Sequence, residues 1–292
     1  MFAAATLDLA CAIQQIPAPT FGEAARAAYL RDRFVEAGLR DVAIDKIGNV
    51  YARRPGVGRS RPVLVTAHTD TVFPADTPLT LVRRRDQIAG PGIGDNALGV
   101  AGLLGLVWSL GDAPTAGDLW LAANVCEEGL GDLRGIRAVL DRLGQTVAAT
   151  LVLEGMALGH IYHAGIGVRR YRISVEAEGG HSWLNFGRPS AIHRIARIAA
   201  ALTELEVPRT PRTTYNIGVI RGGTSVNTIA RSAEFELDLR SETPAALSAL
   251  SARVEDLVAR HQDGSAPILS EVIGDRPPGA IASEHGLVRA AV

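Results

Sequence analysis

The chain has 292 residues, of which 47% are hydrophobic and 21% are charged, and its formal net charge is −1. This composition is typical of a soluble globular protein with a sizeable core, and the balanced charge excludes the basic surface expected of a protein that binds nucleic acid or an anionic membrane. A single lysine, Lys46, disfavours a lysine nucleophile, and two cysteines without a CxxC motif exclude both a disulfide framework and a structural zinc finger.

The first part of the chain alternates between predicted helices and strands. Asp8 interrupts an N-terminal segment without basic residues, which predicts a helix over residues 4–15 and not a signal peptide. No apolar stretch reaches the about 18 residues of a membrane span, so we expect a cytoplasmic protein. The remaining patterns predict helices over residues 23–37, 97–110 and 133–143, strands over 42–52 (with a turn at Gly48 and Asn49), 61–67, 118–125 and 150–153, and an edge strand over 81–89. This order predicts an α/β fold with a mostly parallel, doubly wound sheet.

The second part of the chain has a different pattern. Alternating strands are predicted over residues 168–177, 214–220, 233–239 and 267–273, with helices over 190–205 and 244–260. The order βαββαβ is that of the ferredoxin-like split unit, whose two ends lie close together. The sequence therefore predicts a catalytic domain over residues 1–166, an inserted lid over 167–273, and the start of a return into the first domain over 274–292.

Acidic residues and one histidine of the first domain each follow a predicted strand or lie in a loop that enters a predicted helix. They are His68, Asp70, Asp95, Glu127, Glu128 and Glu154. The carboxyl ends of parallel strands meet at one edge of a sheet, where sites form in such folds. Five carboxylates at one edge would repel one another strongly without bound cations, so this set predicts a divalent metal site, with zinc, cobalt or manganese as suitable ions.

Two pairs of residues in this set carry specific chemistry. His68 and Asp70 point to the same side of an extended segment, so one can bind metal while the other holds the second ring nitrogen; a capping histidine and a turn aspartate are the alternative. Glu127 and Glu128 diverge, so one can bind metal while the other acts as general base on an activated water. A solvated acidic pair is the alternative, which the preceding buried strand disfavours.

Five motifs carry a resemblance that covers essentially the whole chain. In order they read AHTDTVFP, GPGIGDNALGVAGLL, NVCEEGLGDLRG, LVLEG and GGHSW. Together they resemble the zinc exopeptidase family of glutamate carboxypeptidase, aminoacylase and succinyl-diaminopimelate desuccinylase. The resemblance implies that His68 and Glu154 bind one metal, that Asp95 bridges two metals and that Glu128 binds the second. It also implies that Glu127 is the general base and that Asp70 orients His68.

The same resemblance assigns roles to the lid and to the whole chain. His181 matches the residue that stabilises the tetrahedral oxyanion across a dimer, while Asn227 and Arg240 match residues that hold substrate. The implied protein is a homodimer through the lid, with two divalent ions, most consistently zinc. It would hydrolyse amide or peptide bonds of small peptides or N-acyl amino acids, as a carboxypeptidase or a deacylase does. A cis peptide between Asp95 and Asn96 is a further expectation.

One departure from the family supports an alternative. The family supplies a last histidine ligand from a loop beyond the lid, and neither His261 nor His285 fits that position. On this basis we expect tight binding of one ion, weak binding of a second, and low hydrolysis by these residues alone. The alternative is a non-catalytic, dimerising metal-binding protein or an inactive fragment.

Two other enzyme classes fit the sequence poorly. Residues 92–97 match the dinucleotide fingerprint G-x-G-x-x-A, but Asp95 within that turn would meet the pyrophosphate. The chain also lacks the G-x-S-x-G elbow of a serine hydrolase. The sequence therefore favours metal-dependent chemistry.

Overall fold

The protein is described by a computed structural model that covers residues 2–155 and 159–292. The chain divides into two compact units, residues 1–160 and residues 161–292. The C-terminal residues 274–292 belong to the second unit, so their expected return into the first domain stays a prediction.

The first unit is built on a five-stranded sheet with helices on both faces. Its elements are α1 (Phe2–Gln14), α2 (Ala24–Glu36), β1 (Arg40–Ile44), β2 (Val50–Arg54), β3 (Val63–His68), a π-helical segment (Ile93–Leu98), α3 (Gly99–Leu110), β4 (Leu119–Asn124), a 3-10 turn (Gly129–Gly131), α4 (Arg134–Leu143) and β5 (Ala149–Val152). The strand order is β1-β2-β4-β3-β5, and β2 runs opposite to the other four strands. The predicted α/β fold with a mostly parallel sheet is confirmed.

Strand β3 lies at the centre of this unit because both of its faces are apolar. Leu64 packs with Val139 and Leu143 of α4 on one side of the sheet. Val65 and Ala67 point to the other side, where they join the core formed with α1, α2 and α3. Alternate residues of a strand face opposite sides, so burial on both sides fixes the register that brings His68 to the end of β3.

Two predicted strands are hairpins in the structure. Residues 42–52 form β1 and β2, because Asp45 accepts hydrogen bonds from the backbone N–H groups of Ile47, Gly48 and Asn49 and closes the turn. Residues 81–89, expected as one edge strand, form two short strands, Val82–Arg83 and Ile88–Ala89, that pair with each other. The turn between β1 and β2 lies where Gly48 and Asn49 predict one. In residues 81–89, by contrast, local turn geometry interrupts a pattern that reads as continuous in sequence.

The helical segment Ile93–Leu110 is long and apolar enough to cross a membrane by length and composition alone. This differs from the expectation that no such stretch exists. Val100, Ala101, Leu103 and Leu104 are buried in the core cluster of the first unit. A buried core helix passes the same test, and we interpret α3 as such a helix.

The second unit is the predicted βαββαβ fold. Its elements are β6 (Gly167–Glu176), α5 (Ala191–Thr203), β7 (Thr213–Gly222), β8 (Ser232–Ser241), α6 (Pro244–Arg260), β9 (Ile268–Arg276) and α7 (Gly286–Ala291). The antiparallel sheet has the order β7-β8-β6-β9, so β7 and β9 are its edges. Tyr171, Ile173 and Val175 of β6 face a core formed with α5 and α6. Two further pairs of short strands are Gly180–His181 with Thr228–Ile229 and Ala164–Gly165 with Gly279–Ala280.

Candidate metal centre

Three of the predicted metal ligands converge at the carboxyl edge of the first sheet. His68 ends β3, Asp95 lies in the π-helical segment, and Glu128 follows β4. One ligand atom from each of these side chains lies within 4.8 Å of the others. Glu154, which follows β5, reaches the same cluster, because its Oε2 lies 3.5 Å from Nε2 of His68. The edge of the sheet thus collects the side chains that sequence analysis placed there.

The His68 imidazole is held in one orientation. Its side chain is 3% exposed, and Nδ1 lies 3.1 Å from the carbonyl oxygen of Asp70. A carbonyl oxygen can only accept, so Nδ1 carries the hydrogen and Nε2 faces the carboxylates, 2.9 Å from Oδ1 of Asp95. Burial alone would lower the pKa of His68, but the adjacent carboxylates of Asp70, Asp95 and Glu154 raise it to about 12. Binding of a divalent cation through Nε2 requires loss of the proton that these carboxylates hold there.

Asp95 has an oxygen that the protein leaves unsatisfied. Oδ1 is buried and accepts no hydrogen bond of good geometry in the described residues, although it is close to His68. Buried acceptors are normally paired, so a buried carboxylate oxygen without a good hydrogen bond, beside the ligand atoms of His68 and Glu128, fits a bound cation. The donor set of one nitrogen and several carboxylate oxygens suits zinc or a similar divalent ion.

Close backbone packing brings Asp95 towards Glu154. A Cβ atom at Gly155 would lie 1.6 Å from the carbonyl oxygen of Gly94, so the two loops approach at a distance that only glycine permits. The side-chain amide of Asn96 donates to the carbonyl oxygen of Leu153 at 2.9 Å and joins the same loops. The Asp95–Asn96 peptide is cis, as the resemblance implied.

Glu127 and Glu128 lie on a turn whose backbone is hydrogen-bonded to Asp70. The Asp70 carboxylate is fully buried and accepts the backbone N–H groups of Glu127 and Glu128, each at 2.9 Å. It also accepts the hydroxyl of Thr20 at 2.9 Å. Burial opposes ionisation of Asp70, but hydrogen bonds from His68 and these amides hold its pKa below the ordinary value. Asp70 therefore contacts both His68 and the backbone of the acidic pair.

The Glu128 carboxylate is in an environment that disfavours its charge. Burial, followed by repulsion from Asp95 and Glu127, raises its pKa to about 7. A cation between these carboxylates would offset the cost of burying the Glu128 charge and the repulsion from its neighbours, as expected from the number of acidic residues at this edge of the sheet. Glu127, the adjacent residue, is half-buried.

Sequence analysis missed several buried polar residues behind the centre. They are Glu23, Arg26 and Asn49, which are 5%, 2% and 0% exposed. One signal was available for Glu23: it continues the helical spacing of Ala27, Leu30 and Phe34, which form the buried stripe of α2. A charged residue on a buried helix face needs a partner, and charged side chains are rarely fully buried without one.

The predicted lid residues lie in the second unit. His181 and Thr228 pair in a short antiparallel ladder, and the backbone N–H of Ser182 donates to the carbonyl oxygen of Asn227 at 3.0 Å. Nδ1 of His181 accepts the backbone N–H of Trp183 at 3.2 Å, so in the neutral imidazole Nε2 carries the hydrogen and is a donor.

Arg240 occupies the lid sheet near one end of β8. Its Nε donates to Oδ2 of Asp238 at 2.6 Å, and the opposite oxygen of Asp238 accepts Nε of Arg170 at 2.8 Å. The side chain of Arg240 is 45% exposed, so much of its guanidinium surface faces solvent despite this ion pair.

Both units match known peptidase families. The family model of a peptidase dimerisation domain matches residues 166–265, and the model of peptidase family M28 matches residues 49–160. Succinyl-diaminopimelate desuccinylase from Corynebacterium glutamicum is 28% identical over 277 residues, which covers 90% of this chain and 74% of the relative.

Solved structures share the fold of the chain. Aminopeptidase PepT from Bacillus cereus has a TM-score of 0.72 and 22% identity, and the match covers 98% of this chain and 79% of that chain. The YXEP protein of Bacillus subtilis, described as a dinuclear metal-binding peptidase, has a TM-score of 0.65 and 16% identity over 99% of this chain and 78% of that chain.

Proposed function

We infer that this chain, which belongs to the zinc metallopeptidase family that carries a dimerisation domain, is a metal-dependent hydrolase of amide bonds. The observation that carries the inference is the cluster of the buried His68 with the half-buried Asp95 and Glu128, and with a third carboxylate, Glu127, adjacent to Glu128. The alternative of a non-catalytic metal-binding protein is not favoured, because the relatives are named as hydrolases.

We propose that the centre holds two divalent cations, most consistently zinc. His68 and Glu154 would bind one ion, Glu128 the other, and Asp95 would bridge them. The unsatisfied Oδ1 of Asp95 and the description of the YXEP protein as dinuclear support this proposal. When bound, such ions polarise a carbonyl group and lower the pKa of water, which is the chemistry that amide hydrolysis needs.

Glu127 is the proposed general base. Its backbone N–H is fixed by Asp70, and its neighbour Glu128 points into the ligand cluster. A carboxylate in that position can take a proton from the attacking water and return it to the leaving amine. The donor hydrogen on Nε2 of His181 suits stabilisation of the oxyanion that forms on the substrate carbonyl.

The substrate class that we propose is a small peptide or an N-acyl amino acid. Such molecules carry a carboxylate, for which the exposed guanidinium of Arg240 and the amide of Asn227 are suitable partners. The names of the relatives, a desuccinylase and a probable carboxypeptidase from Aspergillus clavatus, support this class.

The test of the proposed function combines metal analysis with an activity assay. The purified chain is loaded with zinc, cobalt or manganese, its metal content is measured, and it is assayed with a panel of N-acyl amino acids and dipeptides. Low but measurable hydrolysis that disappears with a chelator and returns with metal is the expected result, because no residue of the chain fits the family's last histidine ligand. A metal-loaded, folded chain that hydrolyses no member of the panel would contradict the proposal.

The dimer proposed for the lid can be tested at edge strand β7. Ile220 of β7 is 59% exposed, and Ile192 at the start of α5, 42% exposed, lies beside the end of the strand at Gly223. Exposed apolar side chains on an edge strand favour pairing with a second copy about a two-fold axis. We expect Ile220→Lys to shift the chain from dimer to monomer in light scattering, because the pairing would bury two lysine charges.

Leu269→Lys is the matched control for this prediction. Leu269 lies on the opposite edge strand, β9, and is 61% exposed. It should leave the dimer intact if β7 forms the contact. Monomers from the unaltered chain at high concentration would contradict the dimer itself, and monomers from Leu269→Lys alone would place the contact at β9.

A further inference from the structure

Side-chain acceptors hold the backbone of the turn that carries Glu127 and Glu128. Its four residues, 125–128, follow the end of β4 and precede the 3-10 turn. Each of its four backbone N–H groups donates to a buried side-chain oxygen: Val125 to Oδ1 of Asn49 at 3.0 Å, Cys126 to Oε1 of Glu23 at 3.0 Å, and Glu127 and Glu128 to the two oxygens of Asp70 at 2.9 Å. We call residues 125–128 the Glu127 turn.

The backbone of the Glu127 turn needs such support. Cys126 has a φ of 54°, in the left-handed region that disfavours residues other than glycine. Its side chain is buried, with Sγ 3.6 Å from Oε1 of Glu23. A residue keeps such a conformation only where its surroundings determine it, and here the N–H groups on both sides of Cys126 are held as well.

The acceptors come from separate parts of the chain, and a buried arginine balances the negative charge of two of them. Glu23 precedes α2, Asn49 ends the β1–β2 turn, and Asp70 follows β3. Arg26 is 2% exposed, and its guanidinium interacts electrostatically with the carboxylates of Asp70 and Glu23. It also donates a hydrogen bond to the carbonyl oxygen of Thr69 at 2.6 Å. Burial lowers the pKa of Arg26 to about 10, a value at which it remains cationic at neutral pH.

Glu23 and Asn49 are far apart in sequence, but both accept hydrogen bonds from the Glu127 turn. Asn49 also donates from its amide to Asp45 and to the carbonyl oxygen of Gly135, so its own rotamer is fixed. Neither Glu23 nor Asn49 is among the side chains that form the metal cluster. Both instead contact the backbone within two or three residues of Glu128, where a small rotation of the turn moves both acidic side chains.

We propose that Glu23 and Asn49 are positioning residues, which direct Glu127 and Glu128 by hydrogen bonding to the backbone of the Glu127 turn. The proposal rests on the proposed function for its effect on rate, because Glu127 and Glu128 are the base and a ligand there. Misplacement of a reacting group by about 1 Å can cost about 10²-fold in rate. Loss of a hydrogen-bond partner behind metal ligands typically costs about 10- to 100-fold in metal affinity.

Three substitutions of Glu23 separate the hydrogen bond from charge and packing. Glu23→Gln keeps an acceptor oxygen for the N–H of Cys126, Glu23→Asp keeps the charge but withdraws the oxygen by one methylene, and Glu23→Ala removes both. We expect Glu23→Ala and Glu23→Asp to lower kcat by about 10- to 100-fold with little change in KM. Glu23→Gln should restore kcat to within about threefold of the parent. Asn49→Ala should act in the same direction as Glu23→Ala.

Asp118→Ala is the matched control. Asp118 precedes β4 at its other end, and its carboxylate accepts the backbone N–H of Gly56 at 2.8 Å. This variant removes a similar hydrogen bond from the same strand without touching the Glu127 turn. Its kcat should remain near the parental value, and melting temperatures of all variants show whether changes in rate merely follow stability.

Titration with cobalt gives a readout that does not need catalysis. The visible absorption of bound Co²⁺ reports its coordination, and we expect Glu23→Ala to weaken Co²⁺ binding by about 10-fold and to alter the spectrum, with Glu23→Gln close to the parent. Parental kcat and an unchanged cobalt titration for folded Glu23→Ala would overturn the proposal, as would equal losses in Glu23→Gln and Glu23→Ala. If the parent binds cobalt but hydrolyses no amide, the proposed function fails, and the cobalt titration still decides the positioning role.

Discussion

Replacement of Glu127 by glutamine is expected to lower kcat by about 10²–10⁴-fold, the usual range for loss of a general base. The amide of glutamine is close to the carboxylate in size, so the turn and the neighbouring proposed ligand Glu128 should keep their positions. The amide cannot accept the proton of the attacking water, however. Metal analysis of the purified variant should show the same ion content as the parent, and KM should change little, because the substitution removes an interaction made in the transition state.

The adjacent residue supplies the comparison for this experiment. Glu128→Gln should reduce the ion content, because it alters a proposed ligand in the cluster of His68 and Asp95. The two neighbouring substitutions would then separate proton transfer from metal binding. Near-parental turnover by a metal-loaded Glu127→Gln protein would show that another group takes the proton.

Replacement of His68 by alanine is expected to remove metal binding and with it all hydrolysis above background. His68 supplies the only imidazole of the cluster in the described residues and is 3% exposed, so no neighbouring side chain can take its place without rearrangement. The change also removes one of the two cations beside the fully buried carboxylate of Asp70, the other being Arg26. Breaking a buried ion pair by removing one partner typically costs about 3–5 kcal/mol.

In the metal-free form, the loss of stability in His68→Ala should depend on pH. The carboxylates raise the pKa of His68 from 6.5 to about 12, so its contribution to stability is complete below pH 6.5 and declines as the pH rises towards 12. Denaturant unfolding in chelator should therefore show a loss for His68→Ala that is larger at pH 6.5 than at pH 9. His193→Ala, an exposed position on α5, is the control. Equal stability of parent and His68→Ala at both pH values would contradict the ion pairing.

The convergence of His68, Glu128 and Glu154 could be predicted from sequence because each follows a recognisable buried strand, whereas Asp95 lies in a glycine-rich loop that enters a helix. The runs before His68, Glu127 and Glu154 are apolar and short, which is typical of strands buried in a parallel sheet, and such strands end at one edge. Glu23 and Asn49 carried weaker signals. In sequence, Glu23 is typical of the start of a helix and Asn49 of a turn. Only the tertiary structure shows that both side chains accept hydrogen bonds from backbone N–H groups of the Glu127 turn.

The hairpin at residues 81–89 could not be predicted for a different reason. Its two strands have only two residues each, and the link between them is set by one backbone hydrogen bond, from Arg84 to Gln87 at 2.8 Å. Periodicity needs several residues to distinguish one strand from two. Local hydrogen bonding of this kind leaves no pattern in polarity.

Because the Glu127 turn takes its acceptors from residues distant in sequence, its amides should exchange with deuterium as though they belonged to the central sheet. Irregular turns usually lose their amide hydrogens quickly, since small local openings expose them. Here exposure requires separation from Glu23, Asn49 and Asp70, which are anchored in three different parts of the first unit. Residues 125–128 should thus open together with those segments as one cooperative unit, whereas the exposed amides of residues 85–87 should exchange at nearly the rate of an unstructured peptide.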